Sequence, residues 1–87
     1  MALEMNEVIR ELNTYLNHEF ATTTKDIPVT QVCEHIAAKY GIFFRETQVK
    51  NFCVGAGQVC HSKQVAGRQR WFVWNREHPR RLKKQER

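Results

Sequence analysis

Residues 30–75 decide the fold, and they divide into TQVCEHIAAKYG (30–41), IFF (42–44), RETQVKNFCV (45–54), GAG (55–57), QVCHSK (58–63), QVAGR (64–68) and QRWFVWN (69–75). Two of these blocks carry apolar residues at intervals of three and four, which is typical of amphipathic helices. The last blocks carry β-forming residues on both sides of a glycine-containing segment. The stretch therefore predicts a helix, a turn, a second helix and an antiparallel hairpin.

The first helix of this pair is bounded by a polar residue and a glycine. Thr30 is a favourable N-cap, because its hydroxyl can accept a hydrogen bond from an early backbone N–H group. Val32 and Ile36 recur at helical spacing, and Gly41 can adopt the left-handed conformation that ends many helices. Residues 42–44 are apolar but too few for another helix, so we expect them to turn back into the core.

The second helix of the pair is predicted from about Arg45 to Val54. Val49, Phe52 and Cys53 fall on one side of it and are expected to face the core. The outward side carries side chains that can bond base edges or phosphates, namely Arg45, Thr47, Gln48, Lys50 and Asn51. This side is the candidate recognition surface, and an ordinary solvated helix face is the alternative.

The hairpin is predicted with strands at 58–63 and 69–74 and a loop at 64–68. Gly67 supplies the conformational freedom that a turn requires. Three basic residues surround the tip: Lys63, Arg68 and Arg70. They could track phosphates or enter a minor groove, whereas the plainer interpretation is a charged hairpin without a ligand.

An aromatic run from Trp71 to Trp74 lies in the second predicted strand. Its rings could stack on single-stranded bases. A domain of this size needs aromatic side chains to build a core, however, so we expect the run to be buried.

A further helix is predicted from Leu3 to Phe20, where apolar residues form one stripe. The stripe is long for so small a core, which makes a homodimer through this helix a hypothesis. A short strand is expected at Ile27, because Pro28 biases that residue away from the helical conformation. This strand would pair with the edge of the hairpin.

Length and composition limit the number of domains and the class of protein that the chain can form. The 87 residues suffice for one domain, predicted at 1–76, and residues 77–87 form a basic tail, expected to be disordered, that includes Arg80 and Arg81. Hydrophobic content of 41% and charged content of 26% are those of a globular chain. Neither a membrane span nor a signal peptide is expected, so a cytoplasmic location follows, or a nuclear one in a eukaryote.

Charge is unevenly distributed along the chain, whose formal net charge is +5. Residues 1–20 carry a net −3, because four Glu residues oppose Arg10. Residues 39–70 carry a net +5, because six Lys or Arg residues oppose Glu46, and residues 76–87 carry a net +4. This asymmetry favours a polyanion approached from one face, with a solvated basic surface as the alternative.

Three cysteines are present, at Cys33, Cys53 and Cys60. Their odd number and loose spacing favour free, mostly buried thiols over a disulfide framework. Zinc is disfavoured because close ligand pairs are missing and because Cys60 and His61 would point to opposite faces of a strand. Gly55-Ala56-Gly57 lacks the lysine of a phosphate-binding loop. We therefore expect no cofactor, no metal and no enzymatic activity.

The order of elements resembles the winged helix-turn-helix superfamily over residues 3–75. Ala37 and Gly41 lie four apart, like the small residue and the turn glycine of helix-turn-helix proteins. The inward residues of the next helix lie about two positions later than a three-residue turn would place them, which implies a longer turn through 42–44. The resemblance implies an α+β fold with three helices and a small antiparallel β-hairpin wing.

The leading hypothesis is a non-enzymatic protein that binds double-stranded DNA, either a transcriptional regulator or an accessory factor of a phage or mobile element. The helix at about 45–54 would enter the major groove, and the wing at 63–70 would contact the flanking backbone. The alternative is a winged-helix protein-interaction module that binds an acidic partner or inhibits a nucleic-acid-processing protein. RNA binding is a third hypothesis.

Overall fold

A computed structural model describes residues 4–75 of the chain. Its elements are helix α1 (Met5–Phe20), strand β1 (Ile27–Pro28), helices α2 (Val29–Tyr40) and α3 (Glu46–Gly55), and strands β2 (Cys60–Val65) and β3 (Arg68–Val73). The strands form one antiparallel sheet in the order β1-β3-β2. The expected mixture of helices and sheet is confirmed, and its layout is compatible with a winged helix.

The apolar stripe of α1 is covered within the chain itself. Val8, Leu12 and Leu16 recur at four-residue intervals and are fully buried, because α1 packs against both α2 and α3. The rest of the buried core is Ile27, Val29, Val32, Ile36, Val49, Cys53 and Val73. A homodimer therefore stays a prediction, and its interface would have to be a surface other than this buried stripe.

Helix α2 follows β1 without a linker. Its N-cap is Pro28, whose extended conformation carries the strand directly into the first helical turn at Val29. The prediction of Thr30 as N-cap was wrong, because the buried Val29 is drawn into the helix by packing. At the other end the prediction is confirmed: Gly41 has φ 71°, and its N–H donates to the carbonyl of Ala37 at 2.8 Å.

Strand β1 is short and pairs as predicted. Ile27 lies opposite Val73, and Pro28 lies opposite Phe72, so β3 is the central strand. Proline is tolerated here because β1 is an edge strand and needs no hydrogen bond on its outer side.

The hairpin is tighter than the sequence suggests. Val65 and Arg68 already pair, which leaves Ala66 and Gly67 as a two-residue turn instead of the predicted loop 64–68. Both turn residues have positive φ, 52° and 80°, as a type I′ turn requires. This turn could not be predicted from the sequence, because alanine rarely adopts that conformation and Asn-Gly is the pair that usually indicates a type I′ turn.

The aromatic run is divided between the two faces of the sheet. Trp71 and Val73 face the helices, and only Val73 is fully buried. Phe72 and Trp74 alternate with them and lie on the opposite face, where Trp74 is 36% exposed. The expectation that the run is buried therefore holds fully for Val73 alone, since Trp71 and Phe72 are half-buried and Trp74 is exposed.

Asn75 fastens the end of β3 to the segment before β1. Its side chain is fully buried and donates to the carbonyls of Thr23 and Lys25 at 2.8 and 3.1 Å. Its backbone N–H donates to Asp26 Oδ1 at 2.9 Å. These bonds hold the α1–β1 connection beside the sheet.

Gln58, just before β2, attaches the start of the hairpin to α1. It is buried, and its amide donates to Asn13 Oδ1 at 3.0 Å, while Asn13 donates to the carbonyl of Ala56 at 3.2 Å. The α3–β2 connection is therefore anchored on the first helix.

Arg80, Arg81 and the predicted tail at 77–87 lie outside the described residues. Across residues 4–75, the helices are too short or too polar to cross a membrane.

Candidate nucleic-acid interface

Helix α3 presents a polar face away from the core. Val49 and Cys53 are fully buried on its inner side, whereas Thr47, Gln48 and Asn51 are exposed on its outer side, as predicted. The helix starts after Arg45, whose backbone N–H donates to Gln48 Oε1 at 3.0 Å. This bond is one half of a capping box, and it leaves the amide nitrogen of Gln48 pointing to solvent.

Lys50 lies on the flank of α3 that faces the hairpin. Its ammonium is 4.6 Å from the centre of the Trp71 ring and donates to Asn51 Oδ1 at 2.8 Å. The side chain is half-buried, so the prediction that it belongs to the fully outward set needs correction. Its attraction to the ring joins α3 to β3.

Glu46, in the first turn of α3, binds the hairpin twice. Its Oε1 accepts from Arg70 Nη1 at 3.1 Å, and its Oε2 accepts from the backbone N–H of Trp71 at 2.8 Å. Strand β1 pairs only with Phe72 and Val73. Trp71 lies two residues from Val73 and so presents its N–H to the same edge of β3. Glu46 therefore satisfies a donor that β1 is too short to reach.

The three predicted wing cations have different surroundings. Arg68 is exposed and makes no salt bridge within the described chain. Lys63 is exposed, with its ammonium 5.1 Å from the centre of the Phe72 ring. Arg70 lies opposite Lys63 and is paired with Glu46, so its charge is already partly neutralised. The sequence could not show this pairing, because the two residues are 24 positions apart.

Lys39, counted above in the basic part of the chain, is engaged with the acidic helix α1. Glu11 Oε1 accepts from its ammonium at 2.9 Å, and Glu11 Oε2 lies 2.7 Å from His35 Nε2. The hydrogen bonds from His35 and then Lys39 lower the pKa of Glu11, and the same contact raises the pKa of Lys39. His35 also stacks on Tyr15, with ring centres 4.0 Å apart. The α1–α2 surface is thus less acidic than its sequence suggests.

The three cysteines are free thiols on or beside the core, as expected. Cys53 and Cys60 are hydrogen-bonded through their side chains, which lowers the pKa of Cys60 and raises the pKa of Cys53. Burial, with the negative charge of Glu46, raises the pKa of Cys33 to about 11. Between residues 4 and 75, no three or more histidine, cysteine or acidic side chains are grouped as a metal site would need.

Two exposed apolar residues near α3 were not predicted. Phe43 is 87% exposed, whereas Phe44 beside it packs edge-on against Phe52 with ring centres 5.1 Å apart. The prediction that residues 42–44 all turn inward was therefore wrong for Phe43, because neighbouring side chains in an extended segment point in opposite directions. Val54 is 52% exposed and follows Asn51 by one helical turn.

Helix α3 is joined directly to the hairpin, because Glu46 bonds to Arg70 and the Trp71 backbone and Lys50 lies over the Trp71 ring. Searches of protein-family models, curated proteins and solved structures find no match to the chain.

Proposed function

We propose that this chain is a non-enzymatic DNA-binding protein of the winged-helix type. Helix α3 is its recognition helix, and the β2–β3 hairpin is its wing. It acts by occupying double-stranded DNA, as a transcriptional regulator or as an accessory factor of a mobile element.

The observation that supports this proposal best is the double attachment of Glu46 to the hairpin. Its bonds to Arg70 and to the Trp71 backbone fix the start of α3 against β3. The polar face of the helix and the exposed cations of the wing consequently belong to one rigid unit. Duplex recognition needs a fixed relation between helix and wing, since the phosphate contacts position the protein so that the helix can reach the base edges.

In this proposal, the contact residues have distinct chemical roles. Gln48 and Asn51 offer the amide groups that recognise adenine in the major groove, and Val54 offers an apolar contact for a thymine methyl group. Arg45, at the N-terminus of α3, and Thr47 lie where phosphate oxygens pass a docked helix. Lys63 and Arg68 bind the flanking backbone, and Arg80 and Arg81 add sequence-independent attraction.

Fluorescence anisotropy with a labelled random 20-base-pair duplex tests the proposal over a series of salt concentrations. Replacing Lys63 and Arg68 by alanine is expected to lower the slope of log affinity against log salt by about two units, one for each lost phosphate contact. The matched control replaces Arg10 and Lys39, which removes two charges from the α1–α2 surface. Equal slopes in the two double variants, or no binding at low salt, would contradict the proposal.

Sequence readout is tested separately, by selecting bound sites from a random duplex pool. With Gln48 and Asn51 both replaced by alanine, the preference at two or more positions is expected to relax by roughly 1–3 kcal/mol per contact. Affinity for random duplex should change little. A site preference that survives the double replacement would place recognition elsewhere on the chain.

A second candidate function rests on Phe43. An aromatic ring that is 87% exposed in the α2–α3 turn is typical of an anchor for a protein partner. A protein-interaction module would lose its partner on replacement Phe43→Ser and keep it when Lys63 and Arg68 are replaced. A DNA-binding module would behave in the opposite way, so one pair of variants separates the two functions.

A further inference from the structure

The face of the sheet that points away from the helices carries alternating basic and aromatic side chains. Register places Lys63 opposite Arg70 and His61 opposite Phe72. Side chains two apart in a strand share a face and stand about 7 Å apart. One face therefore carries His61, Lys63 and Val65 from β2, and Arg68, Arg70, Phe72 and Trp74 from β3 and the residue after it. We call this the outer sheet face.

Helices α1 to α3 pack on the other side of the sheet. The residues that join the core from the hairpin are Cys60, Trp71 and Val73, which alternate with those of the outer sheet face. In the described part of the chain, the outer sheet face has no second layer over it.

Phe72 is the centre of this face, because two hollows meet at its ring. One hollow of about 310 Å³ is lined by Lys25, Asp26, Lys63 and Phe72. The other, of about 440 Å³, runs past the edge of β3. Val65, Arg70 and Phe72 line it on the outer sheet face, and Thr30, Glu46 and Trp71 line it toward the helices.

The carboxylates in these hollows are already bound. Asp26 Oδ2 lies 2.6 Å from His61 Nε2, and Asp26 Oδ1 accepts from the backbone of Asn75 at 2.9 Å. Glu46 is held by Arg70 and by the Trp71 backbone. With these carboxylates engaged, the cations of Lys25, Lys63 and Arg68 determine the charge that an approaching ligand meets.

We propose that the outer sheet face binds single-stranded nucleic acid, with a base stacked on Phe72 and phosphates bound by Lys63 and Arg68. A single strand fits this surface better than a duplex, because an aromatic ring can stack only on a base whose face is uncovered. The ammonium of Lys63 already lies over the Phe72 ring. An incoming base displaces it and leaves its charge available for the adjacent phosphate.

This proposal goes beyond duplex binding by α3. It shares Lys63 and Arg68 with the proposed wing, and it adds Phe72 and His61, which have no role in duplex binding. His61 stabilises the platform from β2, since its ring is stacked beside Phe72 with centres 5.9 Å apart and planes at 19°. Its hydrogen bond to Asp26 fixes the ring orientation. The platform is therefore preorganised by the sheet register and by the segment before β1.

Anisotropy with labelled 12-mers of thymidylate and of uridylate tests the proposal in the full chain. Phe72→Leu keeps an apolar side chain of similar bulk but removes the ring, and it is expected to weaken binding of both oligomers at least about fivefold. Phe72→Tyr keeps the ring and is expected to retain the affinity. Paired replacement of Gln48 and Asn51 should leave the oligomer affinity unchanged and relax only the sequence preference for duplex, so the two proposals fail separately.

Three outcomes would overturn the stacking platform. The first is oligomer binding that Phe72→Leu leaves intact, provided that its thermal unfolding shows a folded chain. The second is equal loss of affinity in the leucine and tyrosine variants. The third is displacement of the oligomers by a 12-residue polyglutamate at equal charge concentration, which would show that the face binds acidic chains without stacking.

Discussion

Glu46 and Arg70 form an ion pair of 3.1 Å that joins the first turn of α3 to the central strand of the sheet. The same carboxylate accepts from the Trp71 backbone at 2.8 Å. One acidic residue therefore has two effects on the candidate interface: it orders the hairpin, and it neutralises one of the cations that the hairpin would offer to DNA.

Replacing Glu46 by glutamine separates these two effects. The amide oxygen can still accept from the Trp71 backbone, while the negative charge that holds Arg70 is lost. We expect tighter binding to random duplex and a salt slope steeper by about one unit, because Arg70 becomes available to a phosphate. Glu46→Ala also removes the acceptor and should lower the free energy of unfolding by roughly 1–3 kcal/mol. A weaker duplex affinity in the glutamine variant would show that the pair itself, and not a free Arg70, serves binding.

The hairpin turn should be stabilised by Ala66→Asn. Ala66 has φ 52°, a left-handed conformation that costs most non-glycine residues roughly 1–2 kcal/mol and that asparagine tolerates better. Asn-Gly is also the preferred pair for a type I′ turn. We expect the free energy of unfolding, measured in urea, to rise by about 0.5–1 kcal/mol.

Gly67→Ala is the matched comparison, because its φ of 80° lies in the same region. It should destabilise the hairpin by about 1 kcal/mol. If both substitutions destabilised the protein to the same degree, the strained turn assigned to Ala66 would be wrong.

The helices and the short strand were predictable because each depends on a local pattern. Leu12 and Leu16 belong to a stripe with helical spacing, and Gly41 ends α2 in the conformation that glycine favours. Pro28 biases Ile27 toward an extended conformation, and the expected pairing of this short strand with the hairpin is observed between Ile27 and Val73.

The features that the sequence did not reveal depend on how the elements pack together in the folded chain. Arg70 was predicted as a phosphate ligand from the charges of the hairpin alone, and its ion pair with Glu46, which lies on another element, was not foreseen. Phe72 was predicted in the core, yet alternation in β3 places it half-buried on the face that points away from the helices. Phe43 was expected inside with its neighbours, yet it is 87% exposed while the adjacent Phe44 packs against the core.

Cys60 should be the most reactive thiol of the three. The hydrogen bond from Cys53, helped by the positive charge of Lys50, lowers its pKa and so raises the fraction of thiolate at neutral pH. Cys33, with a pKa of about 11 against an ordinary 9.0, has about a hundredfold less thiolate than an ordinary cysteine. We expect iodoacetamide at pH 7 to alkylate Cys60 first, as peptide mass spectrometry would detect.

Cys60→Ser supplies the control for this assignment. In that variant the rapid alkylation by iodoacetamide at pH 7 should disappear, and Cys33 and Cys53 should react only under unfolding conditions. If rapid alkylation persisted in Cys60→Ser, the reactive thiol would be Cys33, which is half-buried.

Glu11→Gln should make the protein less stable at neutral pH and leave its stability unchanged in acid. Glu11 accepts from His35 and Lys39, and these bonds lower its pKa below the ordinary value of 4.5. Because the folded-state pKa is lowered, the contribution of the carboxylate is fully present above the unfolded-state value. It is lost as the pH falls through the folded-state pKa.

Thermal unfolding measured from pH 7 to pH 3 tests this dependence. The variant is expected to unfold about 4 °C below the natural chain at pH 7, as for a partly exposed ion pair in a small domain. The difference should shrink below pH 4.5 and vanish once Glu11 is protonated in the folded state. Glu7→Gln, on an exposed residue of the same helix, should show no comparable pH-dependent difference. A difference that stayed constant down to pH 3 would attribute the effect to packing around Tyr15 and His35 instead of charge, because packing does not titrate with Glu11.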